Sequence, residues 1–187
     1  MKRILALLPL VLAVLLSAGP ARAQAAPTPE DAARRYFEVM RRAEWDAAAK
    51  LMHPDALEQF KSFFTTLAAA DSAAPVISTF FGVKTAAELR ALPAAEVYAR
   101  MIRSLAAMSP ETKQALTSIQ AEVIGSVPEG GDAAHVVYRM NVAVSGVSVA
   151  KVQVISFRRS GDRWLALLTG DLQGMIQSLS RAMTTRG

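Results

Sequence analysis

Apolar residues recur every three or four positions through residues 29–117, and this spacing predicts a mainly helical first half of the domain. Thr28 stands before Pro29 and two acidic residues, an order that is typical of a helix N-terminus. Proline, glycine and runs of small residues separate the later helices from one another. The predicted helices cover residues 29–42, 45–52, 54–67, 76–81, 86–92, 93–108 and 110–116.

From residue 119 onward the apolar period shortens toward two, and turn residues appear at regular intervals. Connections of only a few residues require antiparallel neighbours, so the strands should form a meander. The predicted strands cover residues 119–127, 133–144, 147–158 and 163–168. A helix over residues 171–184 should follow. The sequence therefore predicts an α+β fold, with N-terminal helices packed on a C-terminal four-stranded antiparallel meander and a C-terminal helix after it.

Alternation within the strands indicates which side chains face the helices. In the second strand, Val136, Tyr138 and Met140 share one face, and we expect that face to be buried. In the fourth strand both faces are apolar, with Trp164 on one and Leu165 on the other. Part of the sheet should therefore be covered on both sides, either by the last helix or by a second copy in a homodimer that forms through the sheet.

The N-terminus has the pattern of a secretory signal peptide. Two basic residues precede an apolar run over residues 4–16, and a small-x-small triplet follows at residues 21–23. The run is shorter than the roughly 20 residues that a membrane-spanning helix needs. We therefore expect residues 1–23 to be removed, leaving one α+β domain over residues 24–187. This domain would be periplasmic or secreted from a bacterium, without a membrane span.

Composition and charge exclude several classes of protein. The 187 residues include no cysteine, so disulfides, thiol nucleophiles and cysteine-ligated metals are excluded, while 52% hydrophobic and 20% charged residues favour a folded chain. Three of the basic residues lie in the predicted leader, and their removal leaves 18 basic and 16 acidic residues. A nucleic-acid-binding domain normally carries a strongly basic face. We therefore expect no nucleic-acid partner.

The sequence contains no recognisable catalytic, metal-binding or nucleotide-binding motif. The weak catalytic candidates are His53, Asp46 and Asp55, and the favoured interpretation of His53 is a residue that caps the following helix. His135 should lie on the less apolar face of its strand. The two histidines have no spacing typical of a metal site, so we expect neither a metal nor a cofactor, and catalysis is not favoured.

Aromatic and sulfur-containing side chains on the apolar stripes are the candidate ligand-binding residues. A buried tyrosine needs a hydrogen-bond partner, and several inward hydroxyls would orient a ligand in an apolar pocket. Lys151 and Gln153 would supply its polar end. The alternative is an ordinary core in which the tyrosines bond to neighbouring groups. The candidates are Tyr36, Trp45, Phe60, Phe64, Phe80, Tyr98, Met101, Tyr138 and Met140.

Three segments together resemble the nuclear transport factor 2-like (SnoaL-like) superfamily of cone-shaped α+β domains. They are Tyr36-Phe37 on the first helix, residues 44–48 leading to His53-Pro54-Asp55, and residues 161–164 in the last hairpin. The resemblance implies a pocket between helices and sheet. Its members include isomerases, dehydratases, hydrolases and non-enzymatic binding domains, so it does not select a function. The helical stretch over residues 72–117 and the helix after the last strand depart from the family's minimal plan.

Three functional hypotheses follow. The first is an exported, non-enzymatic domain that binds a small hydrophobic or amphipathic ligand or an envelope protein. The second is a small isomerase, dehydratase or hydrolase that uses Asp46 or Asp55 with His53 and a tyrosine. The third, based on layout alone, is a periplasmic phospholipid carrier, which would need a long cavity for acyl chains. The shape of the space between helices and sheet distinguishes these hypotheses.

Overall fold

The computed structural model of the chain describes residues 27–174, except residues 70–72, 118–119, 145–146 and 171. The helices are α1 (Pro29–Arg41), α2 (Trp45–Ala49), α3 (Pro54–Leu67), α4 (Ala74–Phe81), α5 (Ala86–Ala91), α6 (Ala94–Met108) and α7 (Pro110–Thr117). The strands are β1 (Gln120–Glu129), β2 (Ala133–Val144), β3 (Val147–Ser160) and β4 (Arg163–Ala166). Residues 170 and 172–174 are helical, and the rest of the predicted last helix lies outside the described residues. The predicted α+β fold is confirmed.

Local capping explains where α1 begins. The Thr28 hydroxyl oxygen accepts a hydrogen bond from the backbone N–H of Asp31 at 3.1 Å, and the Asp31 carboxylate accepts one from the backbone N–H of Thr28 at 3.4 Å. This reciprocal pair satisfies two donors that the first turn would otherwise leave without partners. The helix start predicted from the sequence is confirmed.

The second helix ends earlier than its apolar pattern predicts, because the next residues join the sheet. The backbone N–H of His53 donates to the carbonyl of Ala166 at 2.7 Å, and the N–H of Ala166 donates to the carbonyl of Leu51 at 2.8 Å. Residues 51–53 thus cover the free edge of β4, and α2 stops at Ala49.

The four strands form one antiparallel sheet in the order β1-β2-β3-β4, as the short connections predict. Tyr138 of β2 lies between Val123 of β1 and Gln153 of β3 in this register. Strand β4 pairs only with the last four residues of β3. The earlier part of β3 therefore has no strand beside it on that side within the described residues.

Helices cover the inner face of the sheet, which carries the buried side chains Val136, Tyr138, Ile155 and Phe157. Helix α6 lies centrally and contacts α2, α3 and α4. Edge-to-face and tilted aromatic contacts bind this layer together, with Phe60 5.4 Å from Tyr98 and 4.9 Å from Phe64 between ring centroids. The prediction that Val136 and Tyr138 face the helices is confirmed.

The described residues cover the opposite, outer face of the sheet only in part. Leu165 and Ala166 are consecutive residues of β4 and point to opposite faces, yet both are buried, so the sheet is covered on both sides at β4. Further from β4, Val127 and Val154 of this face are 58% and 50% exposed. In the described part of the chain, no helix has the length and apolar character needed to cross a bilayer.

Candidate functional site

A groove of about 450 Å³ lies between α1, α2 and β4, within the size range of small-molecule sites. On α1, Asp31, Arg35 and Val39 follow each other at four-residue spacing, so they form one stripe along its wall. Its apolar lining consists of Pro27, Ala32, Val39, Ala47, Leu51, Trp164 and Leu165. The groove thus joins an apolar floor to a charged rim.

Three exposed cations stand on the rim of this groove: Arg35, Lys50 and Arg163. Among the residues that the structure describes, none of the three has an ion-pair or hydrogen-bond partner for its side chain. Arg34, by contrast, faces Asp31 at 3.0 Å. The rim therefore carries positive charge that no described side chain neutralises through an ion pair.

Asp31 is the acidic residue of this groove lining, and its carboxylate is already engaged. Hydrogen bonds from the side chain and the backbone N–H of Thr28 lower the pKa of Asp31, and the nearby Arg34 guanidinium lowers it further. Asp31 therefore stays ionised and pairs with Arg34, and the three rim cations outnumber this one acidic residue of the lining.

A second cavity, of about 380 Å³, lies beside the part of β3 that β4 leaves uncovered. The Tyr138 hydroxyl donates a hydrogen bond to the Gln153 side-chain oxygen at 3.0 Å, and Lys151 stands next to this pair. The structure thus brings the candidate Tyr138 together with the two polar residues that the sequence pattern placed at a pocket end. Thr169 and Gly170 form the far wall.

The other candidate ligand-binding residues do not line either of these two cavities. Tyr36 and Tyr98 bond to each other, with 2.8 Å between their hydroxyl oxygens. Burial raises the pKa of both phenols. The remaining candidates are buried or half-buried in the core that the helices form over the sheet, namely Trp45, Phe60, Phe64, Phe80, Met101 and Met140.

The catalytic candidates occupy separate structural positions. Both carboxylate oxygens of Asp46 accept hydrogen bonds from Arg103 at 2.9 Å on the surface. His53 is buried, and its Nδ1 accepts the backbone N–H of Asp55 at 3.2 Å, which is the predicted capping role. The Asp55 side chain is exposed and faces Arg158 at 3.4 Å. None of His53, Asp46 and Asp55 lines either cavity.

Reasoning from the sequence missed a side-chain cluster on the outer face of the sheet. His135 Nδ1 lies 2.9 Å from the Ser156 hydroxyl oxygen, and its Nε2 lies 2.8 Å from a carboxylate oxygen of Glu129. Val144 of β2 pairs with Val147 of β3, and the same register pairs His135 with Ser156, so the predicted strand pairing could have revealed this contact. Within the described ranges, no three histidine, cysteine or acidic side chains group as metal ligands.

Comparison of the chain with protein-family models, curated proteins and solved structures gives no match. Membership of the nuclear transport factor 2-like superfamily therefore stays a prediction.

Proposed function

We propose that this protein is an exported, non-enzymatic binding domain that holds a small amphipathic ligand with an anionic head group in the α1–α2–β4 groove. Export rests on the signal-peptide pattern of residues 1–23. The observation that supports the ligand class is a set of three cations, Arg35, Lys50 and Arg163, around an apolar groove. None of the three pairs with another side chain among the residues that the structure describes.

Apolar contacts and ion pairs would make different contributions to the binding free energy. Burial of a ligand's methylenes against Leu51, Val39 and Trp164 contributes about 0.8 kcal/mol for each group that is fully removed from water. An exposed ion pair contributes only about 0.2–1 kcal/mol. The tail therefore supplies most of the affinity, and the rim selects anions over cations.

The shape of the grooves supports a single-chain amphiphile over a phospholipid. The aromatic side chains of α3, α4 and α6 contact each other closely, for example Phe64 and Phe81 with ring centroids 5.0 Å apart. Two acyl chains would need a long channel through this layer.

The candidate acidic residues and His53 do not converge on a cavity, and this separation favours binding over the enzyme hypothesis built on them.

Tryptophan fluorescence tests the proposal directly, because the chain has two tryptophans and only Trp164 lines the groove. The substitution Trp45→Phe leaves Trp164 as the reporter. Dodecanoate brominated near the end of its chain should quench this emission, with a dissociation constant between about 1 µM and 1 mM. Dodecyltrimethylammonium brominated at the same chain position, which has the same tail length and the opposite charge, should bind about tenfold or more weakly.

Substitution of the rim identifies the site. In the Trp45→Phe background, Arg35→Gln and Arg163→Gln should each weaken dodecanoate binding about two- to fivefold. Arg41→Gln is the matched control, because Arg41 is exposed on the same helix but lies outside the groove lining, and it should leave binding unchanged. Absence of quenching, or equal affinity for the anionic and cationic amphiphiles, would contradict the proposal.

A further inference from the structure

Glu129, His135 and Ser156 form a connected row on the outer face of the sheet, and none of the three lines either cavity. His135 and Ser156 are direct cross-strand partners of β2 and β3, and Glu129 is the last residue of β1. The two hydrogen-bond distances are 2.8 Å from Glu129 to His135 Nε2 and 2.9 Å from His135 Nδ1 to Ser156. The imidazole thus bridges a carboxylate and a hydroxyl, and each of its nitrogens has its own partner.

The chemistry of the partners fixes the direction of these hydrogen bonds. An ionised carboxylate only accepts, so Nε2 of His135 must carry the hydrogen that bonds to Glu129. In the neutral imidazole Nδ1 is then an unprotonated acceptor, and the Ser156 hydroxyl donates to it. A serine whose proton points at an oriented base is the arrangement that makes a hydroxyl nucleophilic.

We propose that Ser156 is an activated nucleophile that takes an acyl or phosphonyl group from an electrophilic ester, with His135 as its general base and Glu129 as the positioning residue. In acylation, the serine oxygen attacks the carbonyl carbon while its proton moves to Nδ1 of His135. The bond to the leaving alcohol then breaks, and the same proton passes to the departing oxygen. Attack of a water molecule by the reverse route hydrolyses the acyl-serine and restores the hydroxyl.

The surroundings of Ser156 indicate the substrate class. In the sheet register Val127 lies beside His135, and the neighbouring row holds Val137 and Val154. Val127 and Val154 are half exposed, so an apolar acyl or aryl group can lie against them. These side chains carry no charge, and the guanidinium of Arg158, the next residue of this face along β3, already faces the Asp55 carboxylate at 3.4 Å. The structure therefore favours neutral esters with an apolar acyl or aryl group.

The outer face of the sheet around Ser156 limits the rate of acyl transfer to this serine. Hydrogen bonds between the strands engage the backbone N–H groups that an oxyanion hole would use. Such a hole typically increases the reaction rate by a factor of about 10²–10³. An oriented general base contributes about 10²–10⁴. Selective but slow modification of Ser156 is thus the expected behaviour, and covalent labelling detects it better than turnover.

The test is labelling of the whole protein with an aryl-alkyl fluorophosphonate, followed by peptide mass mapping. The serine oxygen attacks phosphorus, fluoride leaves, and His135 takes the proton. We expect one adduct, on Ser156, forming about 100-fold faster than any adduct on the exposed Ser62 and Ser78, which serve as controls within the same molecule. His135→Gln should abolish this preference, and Ser156→Ala should remove the adduct.

The role of Glu129 needs a readout that a structural role would not change. Nitrogen-15 chemical shifts of the His135 ring should show hydrogen on Nε2 in the wild type, and Glu129→Gln should shift the ring toward the other tautomer while slowing labelling about tenfold. The proposal is overturned if Ser156 reacts no faster than Ser62, or if His135→Gln labels at the wild-type rate. Arg35→Gln alters the separate groove and should leave labelling unchanged, so this test is independent of the ligand proposal.

Discussion

The hydroxyl oxygens of Tyr36 and Tyr98 lie 2.8 Å apart and join α1 to α6 across 62 positions of the chain. Each phenol gives the other the partner that a buried hydroxyl requires. Phe60 contacts Tyr98 edge to face, and Phe37 contacts Tyr138 with 4.5 Å between ring centroids, so the tyrosine pair lies in a closely packed aromatic region. The tyrosines here act as core residues that connect the helices.

Removal of both hydroxyls of this pair should destabilise the protein by less than the sum of the two single removals. Tyr98→Phe leaves the Tyr36 hydroxyl buried without its partner, at a cost of about 1–3 kcal/mol in the free energy of unfolding. The double variant with Tyr36→Phe should cost clearly less than the sum of the two single changes. Urea denaturation of the four proteins measures this coupling. Additive costs would show that the hydroxyls act independently.

The same pair should make the fold sensitive to alkali. Burial raises the pKa of both phenols above the usual 10.0, so the folded protein holds protons that the unfolded chain releases near pH 10. The stabilisation is complete below pH 10 and is lost as pH rises through the higher folded-state values. Denaturation between pH 9 and 12 should show this loss, and a Tyr36→Phe/Tyr98→Phe protein should show a smaller one. Equal slopes for the two proteins would contradict the assignment.

The contact of Glu30 on α1 with Ser126 on β1 should appear as acid sensitivity. The hydrogen bond from the Ser126 hydroxyl is the main cause that lowers the pKa of Glu30 below its usual 4.5. The stabilisation is therefore present above about pH 4.5 and is lost as pH falls through the lower folded-state value. Ser126→Ala should reduce the dependence of stability on pH in this acidic range. It should also lower the free energy of unfolding at neutral pH by about 0.5–1.5 kcal/mol. In a Glu30→Gln background the same substitution should leave the pH dependence unchanged.

Substitution by alanine should change the stability of the protein at one of two glycines and not at the other. Gly82 ends α4 with φ = +65°, a left-handed conformation that costs an L-residue about 1–2 kcal/mol. An added Cβ there would lie 3.8 Å from Arg100, an ordinary contact, so the loss for Gly82→Ala comes from the backbone. Gly125 is the control, because an added Cβ meets nothing within 4 Å and its φ lies outside that region. Thermal unfolding should show a lower Tm for Gly82→Ala only.

Much of the secondary structure is predictable because its causes are local. The Thr28 cap, the proline at the start of α3 and the turn at residues 161–162 act on residues close to them in the chain, so the helix starts and the last hairpin follow from them. The ends of elements are less predictable. Strand β4 stops at Ala166 rather than 168, and Leu168, two residues further on, is buried in the core.

The candidate sites depended on contacts between distant parts of the chain. Apolar periodicity correctly marked Tyr36, Tyr98 and Tyr138 as inward-facing, but it cannot tell whether an inward hydroxyl meets a ligand or another tyrosine. Similarly, Arg35, Lys50 and Arg163 are unremarkable charges in the sequence, and only the packing of α1, α2 and β4 places them around one groove. The pattern of residues along a helix or strand decides which side chains are buried, because burial follows the period of that element. Partners are decided by how the elements pack, since hydrogen bonds and cavities require positions fixed in three dimensions to within a few tenths of an ångström.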